Sequence, residues 1–447
     1  MANSSKPPSR GRWIRLGKLT ATTVGASSRY LGDKLLDGLR GETGRNAARS
    51  ARLQQAGETL AGTLGDMKGA AMKLGQFLSA DAALLPDEIR KALEVLQKGA
   101  TPMQPDQVRR LLEARLGQPT EALFASFDEQ PVGAASLGQV HRATLLDGSP
   151  VAVKLQYPDM VQRLEDDLAN LRLMLRLAPV SALRDRQEEY IDQLRSAFLA
   201  EADYHQEADN LDEAVRHCAA MPNIAVPRPV RSHSCSTVLT MSYLEGVPLV
   251  EGLRALPAAR RNALGGALLL FYAQLFHRQQ WLHGDVHPGN FLLLDDDRIG
   301  VLDFGCVCRF EADLTDGFLH LLRAIWEDRP DDVPGLYASM GFSSGTVDVS
   351  AQTLEIFHRM VMAPFYATEP FDWGAWELRS ALRGFVFEHV DFLRLTPPPE
   401  ALLYLRVLSG LGGMLHEVGA VVDIRGPAEA LAEERLGPPS GVGSTQQ

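Results

Sequence analysis

The spacing of apolar and polar residues changes abruptly near residue 119. Over residues 56–118 apolar residues recur at helical spacing in three segments, each beginning near Pro, Asp or Thr, which predicts amphipathic helices. From residue 120 short alternating runs predict three strands, with Asp147-Gly148 as a hairpin turn between the second and the third. The chain therefore opens with helices and continues with a sheet.

The rest of the pattern predicts an α+β fold with two lobes. A charged helical stretch at about 159–217 is followed by two more strands before residue 246, and the chain is mostly helical from 257 onward. We divide the chain into a basic arm, a helical extension, a strand-rich lobe, a helical lobe and a flexible tail, at residues 1–55, 56–118, 119–246, 247–436 and 437–447.

Composition is that of a globular protein, with 447 residues, 45% apolar and 23% charged. The net charge of −11 argues against a nucleic-acid partner. Four scattered cysteines are too few for a disulfide framework and favour a reducing, cytoplasmic compartment. The most apolar stretch, residues 263–276, is too short to span a bilayer, so we expect a buried core helix and no transmembrane helix.

Net positive charge is concentrated at the N-terminus. Residues 1–52 hold eleven Lys and Arg against three Asp and Glu, a net of +8. The segment RWIRLGKL at 12–19 suits an amphipathic helix on an anionic membrane surface, but a solvated arm explains it equally well. Peripheral attachment to the inner face of a membrane is one interpretation of this arm.

The motif HGDVHPGN at 283–290, with DFG at 303–305, predicts a phosphoryl-transfer site. In protein-kinase sites one Asp faces the nucleophile, here Asp285, while an Asn and a second Asp hold Mg²⁺, here Asn290 and Asp303. We therefore expect ATP and Mg²⁺ as ligands and a kinase-like version of the bilobal fold. A zinc site through the two histidines of this loop is disfavoured, because the Pro-Gly that follows them imposes a loop.

A lysine on the third predicted strand completes the expected phosphate site. Lys154 ends the apolar run VAVK, and Glu207 on the following helix lies about where its partner is needed. A solvated helix face would also explain the acidic cluster at 201–210, and Glu201 could also point into the site.

Two backbone segments are expected to hold the nucleotide. The small-residue loop at 131–141 would cover the phosphates, and the segment LTMSYLEG at 239–246 would contact adenine mostly through backbone groups. The candidate residues are Gly133, Ala134, Ala135 and Ser136 in the first segment and Met241 and Tyr243 in the second.

These motifs together resemble the AarF/UbiB family of atypical kinases. The chain matches its K-x-G-Q motif at Lys73–Gln76, its Ala-rich loop, its E-x-D motif at Glu201–Asp203 and both catalytic loops. The resemblance implies that Lys73 and Gln76 occupy the place where a protein substrate would dock, and it gives Glu201 and Asp203 a regulatory place. Gly133 departs from the family by replacing the first Ala of its loop. Without transmembrane segments, the chain looks more like the soluble branch.

The resemblance also implies ATPase activity, restrained protein-kinase activity, support of ubiquinone biosynthesis, and contact with membranes, isoprenoid lipids or quinone-biosynthesis proteins. A homodimer is left open. Two alternatives remain: a small-molecule phosphotransferase of the aminoglycoside or choline kinase type, and a non-catalytic ATP-binding scaffold. The absence of an A-P-E segment after DFG argues against ordinary protein substrates.

Overall fold

The computed structural model describes residues 103–438, except 136, 163–164, 166–167, 170–194, 196–198, 200–201, 344–348, 390–391, 393–394 and 396. These residues form two compact units. The first contains the described residues up to Gln206 together with Val230–Ser242, and the second contains Glu207–Pro229 and the chain from Tyr243 onward.

The first unit is built on a five-stranded antiparallel sheet. Its strands run in the order β1-β3-β4-β6, with β2 paired to β3. They are β1 Phe124–Phe127, β2 Gly133–Ala135, β3 Gly138–Leu145, β4 Pro150–Gln156 and β6 Val238–Ser242. The hairpin between β3 and β4 turns where expected, because Gly148 has a φ of +89° and its N–H bonds to the Leu145 carbonyl at 2.9 Å.

Helix α1, Pro105–Leu116, packs its apolar face against this sheet. Pro105 occupies the first turn, where no amide hydrogen is needed, and Gly117 ends the helix in the left-handed conformation with a φ of +71°. Val108 and Leu112 are fully buried among residues of the sheet. Arg115 donates hydrogen bonds to the Gln156 carbonyl at 2.7 Å and the Thr237 carbonyl at 3.1 Å, which tie the helix to β4 and to the residue before β6.

The second unit is mainly helical, as the sequence predicts. Its long central helix buries one face, which includes Leu268, Phe271 and Leu275, and a second apolar helix follows the catalytic loops. Helix α2, Thr120–Leu123, belongs to the first unit, and α3, Tyr204–His217, begins in the first unit and continues in the second. The other helices of the second unit are α4 Leu249–Ala255, α5 Ala258–Gln279, α6 Ala312–Trp326, α7 Val333–Ser339, α8 Ala351–Val361, α9 Ala363–Tyr366, α10 Leu378–Glu388, α11 Pro399–Val418 and α12 Arg425–Leu436.

Short strands lie between these helices. One sheet has the order β5-β10-β9-β7, and two further pairs are β11-β8 and β12-β13. The strands are β5 Ile224–Ala225, β7 Gly246–Pro248, β8 Trp281–His283, β9 Phe291–Leu294, β10 Ile299–Val301, β11 Val307–Arg309, β12 Phe371–Asp372 and β13 Val421–Val422.

Two strands differ from the sequence-based expectation. The Ala-rich loop is partly a strand, because Gly133–Ala135 pairs with β3 instead of remaining open loop. The strand expected after residue 223 is only Ile224–Ala225, and it joins the second unit through parallel pairing with β10. In both cases short segments without a clear alternating pattern gain strand structure from a neighbouring strand.

Helices long and apolar enough to cross a bilayer are not found in the part of the chain that the structure describes. The stretch at 263–276 lies within α5 and is a core helix, as its length predicts.

Candidate active site

The catalytic loop connects β8 and β9 in the second unit. It holds the two polar residues that the sequence singles out, because the Asn290 amide nitrogen donates to the Asp285 backbone oxygen at 3.0 Å and to its carboxylate at 2.9 Å. A short 3₁₀ turn at Pro288–Asn290 sets this geometry, with the His287 ring accepting the Gly289 amide at 3.1 Å. The amide nitrogen of Asn290 is thus occupied, which leaves its oxygen as the acceptor for a cation.

The DFG turn is joined to the catalytic loop through the backbone. The Leu302 amide donates to the Asn290 carbonyl at 2.8 Å, directly before Asp303. Asp303 has a φ of +51°, a left-handed conformation that Asp tolerates better than most residues, and its carboxylate accepts the Gly305 amide at 3.2 Å. This arrangement puts Asn290 and Asp303 on adjoining turns.

His283 is the buried residue that connects the two loops. Its Nε2 lies 3.1 Å from the Leu302 carbonyl and 3.0 Å from the Asp303 carbonyl, so this nitrogen carries the hydrogen. Its Nδ1 therefore accepts the Tyr272 hydroxyl at 2.9 Å. Burial lowers the pKa of His283, which keeps the ring neutral. Both nitrogens serve hydrogen bonds, so His283 orients the two loops and neither nitrogen is left for zinc.

Arg406 is a site residue that sequence reasoning missed. Its guanidinium lies 3.5 Å from the Asp285 carboxylate, and both side chains are about one-fifth exposed. Arg406 is the only Lys or Arg of α11, which is otherwise mostly apolar, and this isolated charge is the signal that could have revealed it.

Close packing of α11 on the catalytic loop brings Arg406 to Asp285. One turn further along the helix Gly410 faces Val286, and a Cβ on Gly410 would lie 2.9 Å from the Val286 side chain and 3.0 Å from its carbonyl oxygen. Only glycine allows the helix to approach this closely.

Lys154 lies in β4 of the first unit, where it pairs with Val140 on one side and Leu239 on the other. Its side chain is buried, and its ammonium group is 5.2 Å from the centre of the Tyr204 ring. Glu207 is buried on α3 and belongs to the second unit. Burial of a Lys and a Glu requires compensating partners, and pairing between these two stays a prediction.

The expected nucleotide segments are described in part. Gly133, Ala134 and Ala135 form β2, and a Cβ on Gly133 would meet nothing within 4 Å, so glycine is not sterically required there. Met241 lies in β6 opposite Ala152.

Of the remaining candidates, Tyr243 follows β6 directly, and the Asp203 carboxylate accepts the His205 amide at 3.0 Å at the start of α3. Lys73, Gln76, Ser136 and Glu201 lie outside the described residues.

The oxygen ligands of the two loops fit Mg²⁺. A carboxylate from Asp303 and an amide oxygen from Asn290 are hard ligands, and Mg²⁺ commonly takes one or two protein ligands together with substrate phosphates. In the described part of the chain no group of three or more His, Cys, Asp and Glu forms a self-sufficient metal site. This donor set therefore suits a cation that arrives with a nucleotide.

An Asp–Asn catalytic loop joined to an Asp-Phe-Gly turn, as in the second unit, is the arrangement found on the metal-binding side of protein-kinase sites. The profile of the ABC1 atypical kinase-like domain matches residues 95–333, more than half of the chain. The protein therefore belongs to the ABC1 family of atypical kinases, the AarF/UbiB family that the motifs resemble, and its α+β kinase-like fold class is confirmed.

Individual relatives support this assignment. A rat protein named atypical kinase COQ8B, mitochondrial, is 28% identical over 407 residues, 89% of this chain and 76% of the relative. A Xylella fastidiosa protein named probable protein kinase UbiB is 28% identical over 444 residues, 95% of this chain and 78% of the relative.

Among solved structures, one described as the complex of Rv3197 and erythromycin from Mycobacterium tuberculosis superposes with a TM-score of 0.64 at 29% identity. The superposition covers 88% of this chain and 100% of the Mycobacterium tuberculosis chain.

Proposed function

We propose that the protein is a Mg²⁺-dependent ATPase or atypical kinase that supports the biosynthesis of ubiquinone or a related isoprenoid quinone. The observation that carries the proposal is the joined pair of loops, in which Asn290 is bonded to Asp285 and connected by backbone to Asp303. Every polar residue needed at the reacting end of ATP is present, which favours catalysis over a non-catalytic scaffold. The quinone pathway rests on the similarity to relatives named COQ8 and UbiB.

Each residue has a role in this proposal. Asn290 and Asp303 would hold Mg²⁺, which supplies charge neutralisation at the phosphates. Asp285 orients water or an acceptor hydroxyl, and Arg406 restrains its carboxylate. Lys154 would position phosphates with Glu207 as its partner. Gly133–Ser136, Met241 and Tyr243 would contact the nucleotide.

The K-x-G-Q residues would limit the choice of acceptor. Lys73 and Gln76 are assigned to covering the protein-substrate site, with Glu201 and Asp203 in a regulatory place beside it. ATP hydrolysis would then be the main reaction, unless a small acceptor reaches Asp285. These assignments rest on the family motifs.

Turnover and binding test the chemistry. Purified protein should hydrolyse ATP, and Asp285→Asn should lose the activity while still binding nucleotide. Asp303→Asn should abolish the increase in melting temperature caused by nucleotide with Mg²⁺. An unchanged increase would remove Asp303 from the metal site. Full turnover by Asp285→Asn would show that the hydrolysis does not depend on this site, which would favour the non-catalytic scaffold.

A quinone profile tests the pathway. A strain lacking the gene should accumulate less quinone, the wild-type gene should restore it, and Lys154→Ala should not. Normal quinone in the deletion strain would remove the pathway from the proposal.

A second candidate is transfer of phosphate to a small molecule. Its specific support is the structural neighbour whose description names a complex with erythromycin, a molecule rich in hydroxyl groups. ATP-dependent phosphorylation of erythromycin or an aminoglycoside by the purified protein, without a response to lipid, would establish this candidate in place of the first.

A membrane surface is the proposed partner of the basic arm. Attachment to an anionic cytoplasmic membrane face would bring the protein to its hydrophobic pathway. Deletion of residues 1–30 should reduce sedimentation with anionic liposomes but not with neutral ones. Equal sedimentation of both forms would show that the arm has no membrane role.

A further inference from the structure

Two cysteines directly follow the DFG turn and have no role in the site described above. Cys306 and Cys308 are half-buried thiols on the same stretch of chain, and Cys308 lies in β11. Both sulfurs face Gly284, because they lie 2.9 and 3.0 Å from where a Cβ on Gly284 would stand. Gly284 directly precedes Asp285, so the two thiols adjoin the catalytic loop.

The two thiols are joined by a hydrogen bond. The Cys308 S–H bonds to the Cys306 sulfur, and this bond together with burial raises the pKa of Cys308, while Arg406 and Arg309 act in the opposite direction. The proton therefore stays on Cys308, and the Cys306 sulfur is the acceptor. Because Cys308 keeps its proton, we assign the nucleophilic thiolate to Cys306.

We propose that Cys306 and Cys308 form an oxidisable dithiol, a modification site for a two-electron oxidant of the peroxide class, and that its closure to a disulfide loosens the catalytic loop. Both residues are only partly buried, so we expect a molecule as small as hydrogen peroxide to reach them.

The reaction balances with hydrogen peroxide alone. The Cys306 thiolate attacks one peroxide oxygen, the O–O bond breaks, and the hydroxide that leaves takes up the proton released by Cys306 as water. Cys308 then attacks the sulfur of the resulting sulfenic acid, the S–O bond breaks, and a second water leaves with the Cys308 proton. Two thiols are oxidised to one disulfide, and the peroxide is reduced to two waters.

Geometry makes this bridge a labile one. Cys306 directly precedes β11 and Cys308 lies within it, and along an extended chain residues two apart have Cα atoms about 6.6 Å from each other, near the upper limit of about 6.8 Å for disulfides. Closure therefore requires the chain at β11 to pucker, and strained disulfides are easily reduced again. Easy reduction is what a reversible modification needs.

Distortion of the Cys306–Cys308 segment would be transmitted to the catalytic loop through backbone hydrogen bonds. β11 pairs with β8, where Val307 is opposite His283. The Gly284 amide donates to the Cys306 carbonyl at 2.8 Å. Movement of the Cys306–Cys308 segment therefore acts on the two residues before Asp285.

Mass spectrometry of the full-length reduced protein tests the bridge. Treatment with stoichiometric hydrogen peroxide should remove two hydrogen atoms, peptide mapping should join Cys306 to Cys308, and dithiothreitol should reverse the change. Cys308→Ser should prevent the bridge. The double variant Cys218→Ser with Cys235→Ser is the matched control and should still form it, since burial raises the pKa of Cys218 to about 12 and makes that thiol inert.

A bridge elsewhere, a disulfide-linked dimer, or oxidation of one cysteine to sulfinic acid would overturn the proposal. The wild-type map decides this even if a variant fails to fold.

Amide hydrogen exchange tests the effect on the catalytic loop. Oxidised wild-type protein should exchange residues 281–290 at least tenfold faster than reduced protein, and unchanged exchange in fully bridged protein would overturn the coupling. A matching loss of ATP turnover, restored by dithiothreitol, rests on the proposed function. Absence of turnover in the reduced protein would refute that function but leave the bridge and its exchange effect standing.

Discussion

At the scale of single residues, the site depends on polar side chains whose partners come from distant parts of the chain. Asp285 has Asn290 on its own loop and Arg406 on α11, while His283 joins the two loops through carbonyls before and within the DFG turn and is held by Tyr272 of α5. The loop residues carry recognisable spacing and could be predicted. Arg406 stands out in the sequence only as an isolated charge on an apolar helix, and its partner could not be predicted, because a contact over more than a hundred residues leaves no local pattern.

Removal of Arg406 should reduce turnover more than stability. Arg406→Ala should lower kcat by about tenfold, or about 1.4 kcal/mol of activation free energy, because the Asp285 carboxylate loses a charged group that orients it. The Mg²⁺-nucleotide shift in melting temperature should be retained. Steady-state kinetics and thermal melts measure the two effects.

The matched control is Arg254→Ala. Arg254 also pairs with a residue of α11, Glu417, but its side chain is 55% exposed against 21% for Arg406. Exposed pairs contribute little, so this variant should keep its turnover and melting temperature. Equal kinetics for the two variants would show that Arg406 has no positioning role.

At the scale of secondary-structure elements, glycines set how closely a segment approaches the site. Gly410 allows α11 to touch the catalytic loop, and Gly138 starts β3 directly after the Ala-rich turn. The sequence predicts the strands and helices themselves, because periodicity is local. It does not indicate which glycines are close contacts, since this depends on the neighbour across the interface.

Substitution of Gly410 by Ala should separate α11 from the catalytic loop. The new Cβ would meet Val286 side-chain and backbone atoms at 2.9–3.0 Å, and overpacking of this kind costs about 1–3 kcal/mol of unfolding free energy. Gly413→Ala on the same helix meets nothing within 4 Å and should be neutral or stabilising. Equal melting temperatures for the two variants would contradict the close packing.

The Ala-rich turn offers a second matched pair. A Cβ on Gly138 would collide with the Leu155 carbonyl oxygen, whereas one on Gly133 meets nothing within 4 Å. Gly138→Ala should therefore destabilise the first unit by more than about 1 kcal/mol, and Gly133→Ala should fold normally. Urea unfolding measures both, and tolerance of Gly138→Ala would refute the close approach of β3 and β4.

At the scale of the whole molecule, buried neutral histidines make stability depend on pH. Burial lowers the pKa of His277 and of His358 from 6.5 to about 3 in the second unit. Because the unfolded chain binds these protons more readily, the stability from each histidine is complete above about pH 6.5 and decreases as the pH falls toward 3.

The predicted cost at pH 5 is about 2 kcal/mol for each of these histidines. His277→Asn keeps a donor for the Thr315 carbonyl, 2.8 Å from the His277 Nδ1, but cannot take up a proton. The drop in melting temperature from pH 7 to pH 5 should therefore shrink by roughly 4–8 °C in this variant. His320→Asn, on the exposed face of α6, should leave the drop unchanged. Equal drops in both variants would refute the neutral state of His277.

While the helices that it predicts over residues 56–102 lie outside the described part of the chain, the sequence by itself determined the α+β fold class and the motifs of the catalytic loop and DFG turn. These follow from local periodicity and from motifs whose members lie within about twenty residues of each other. Only the tertiary structure decided that Arg406 pairs with Asp285, that β5 joins the second unit, and that two thiols face Gly284. Such contacts depend on which surfaces pack together when the core forms. The free energy of burial that selects them comes from several distant segments at once, so no single segment predicts them.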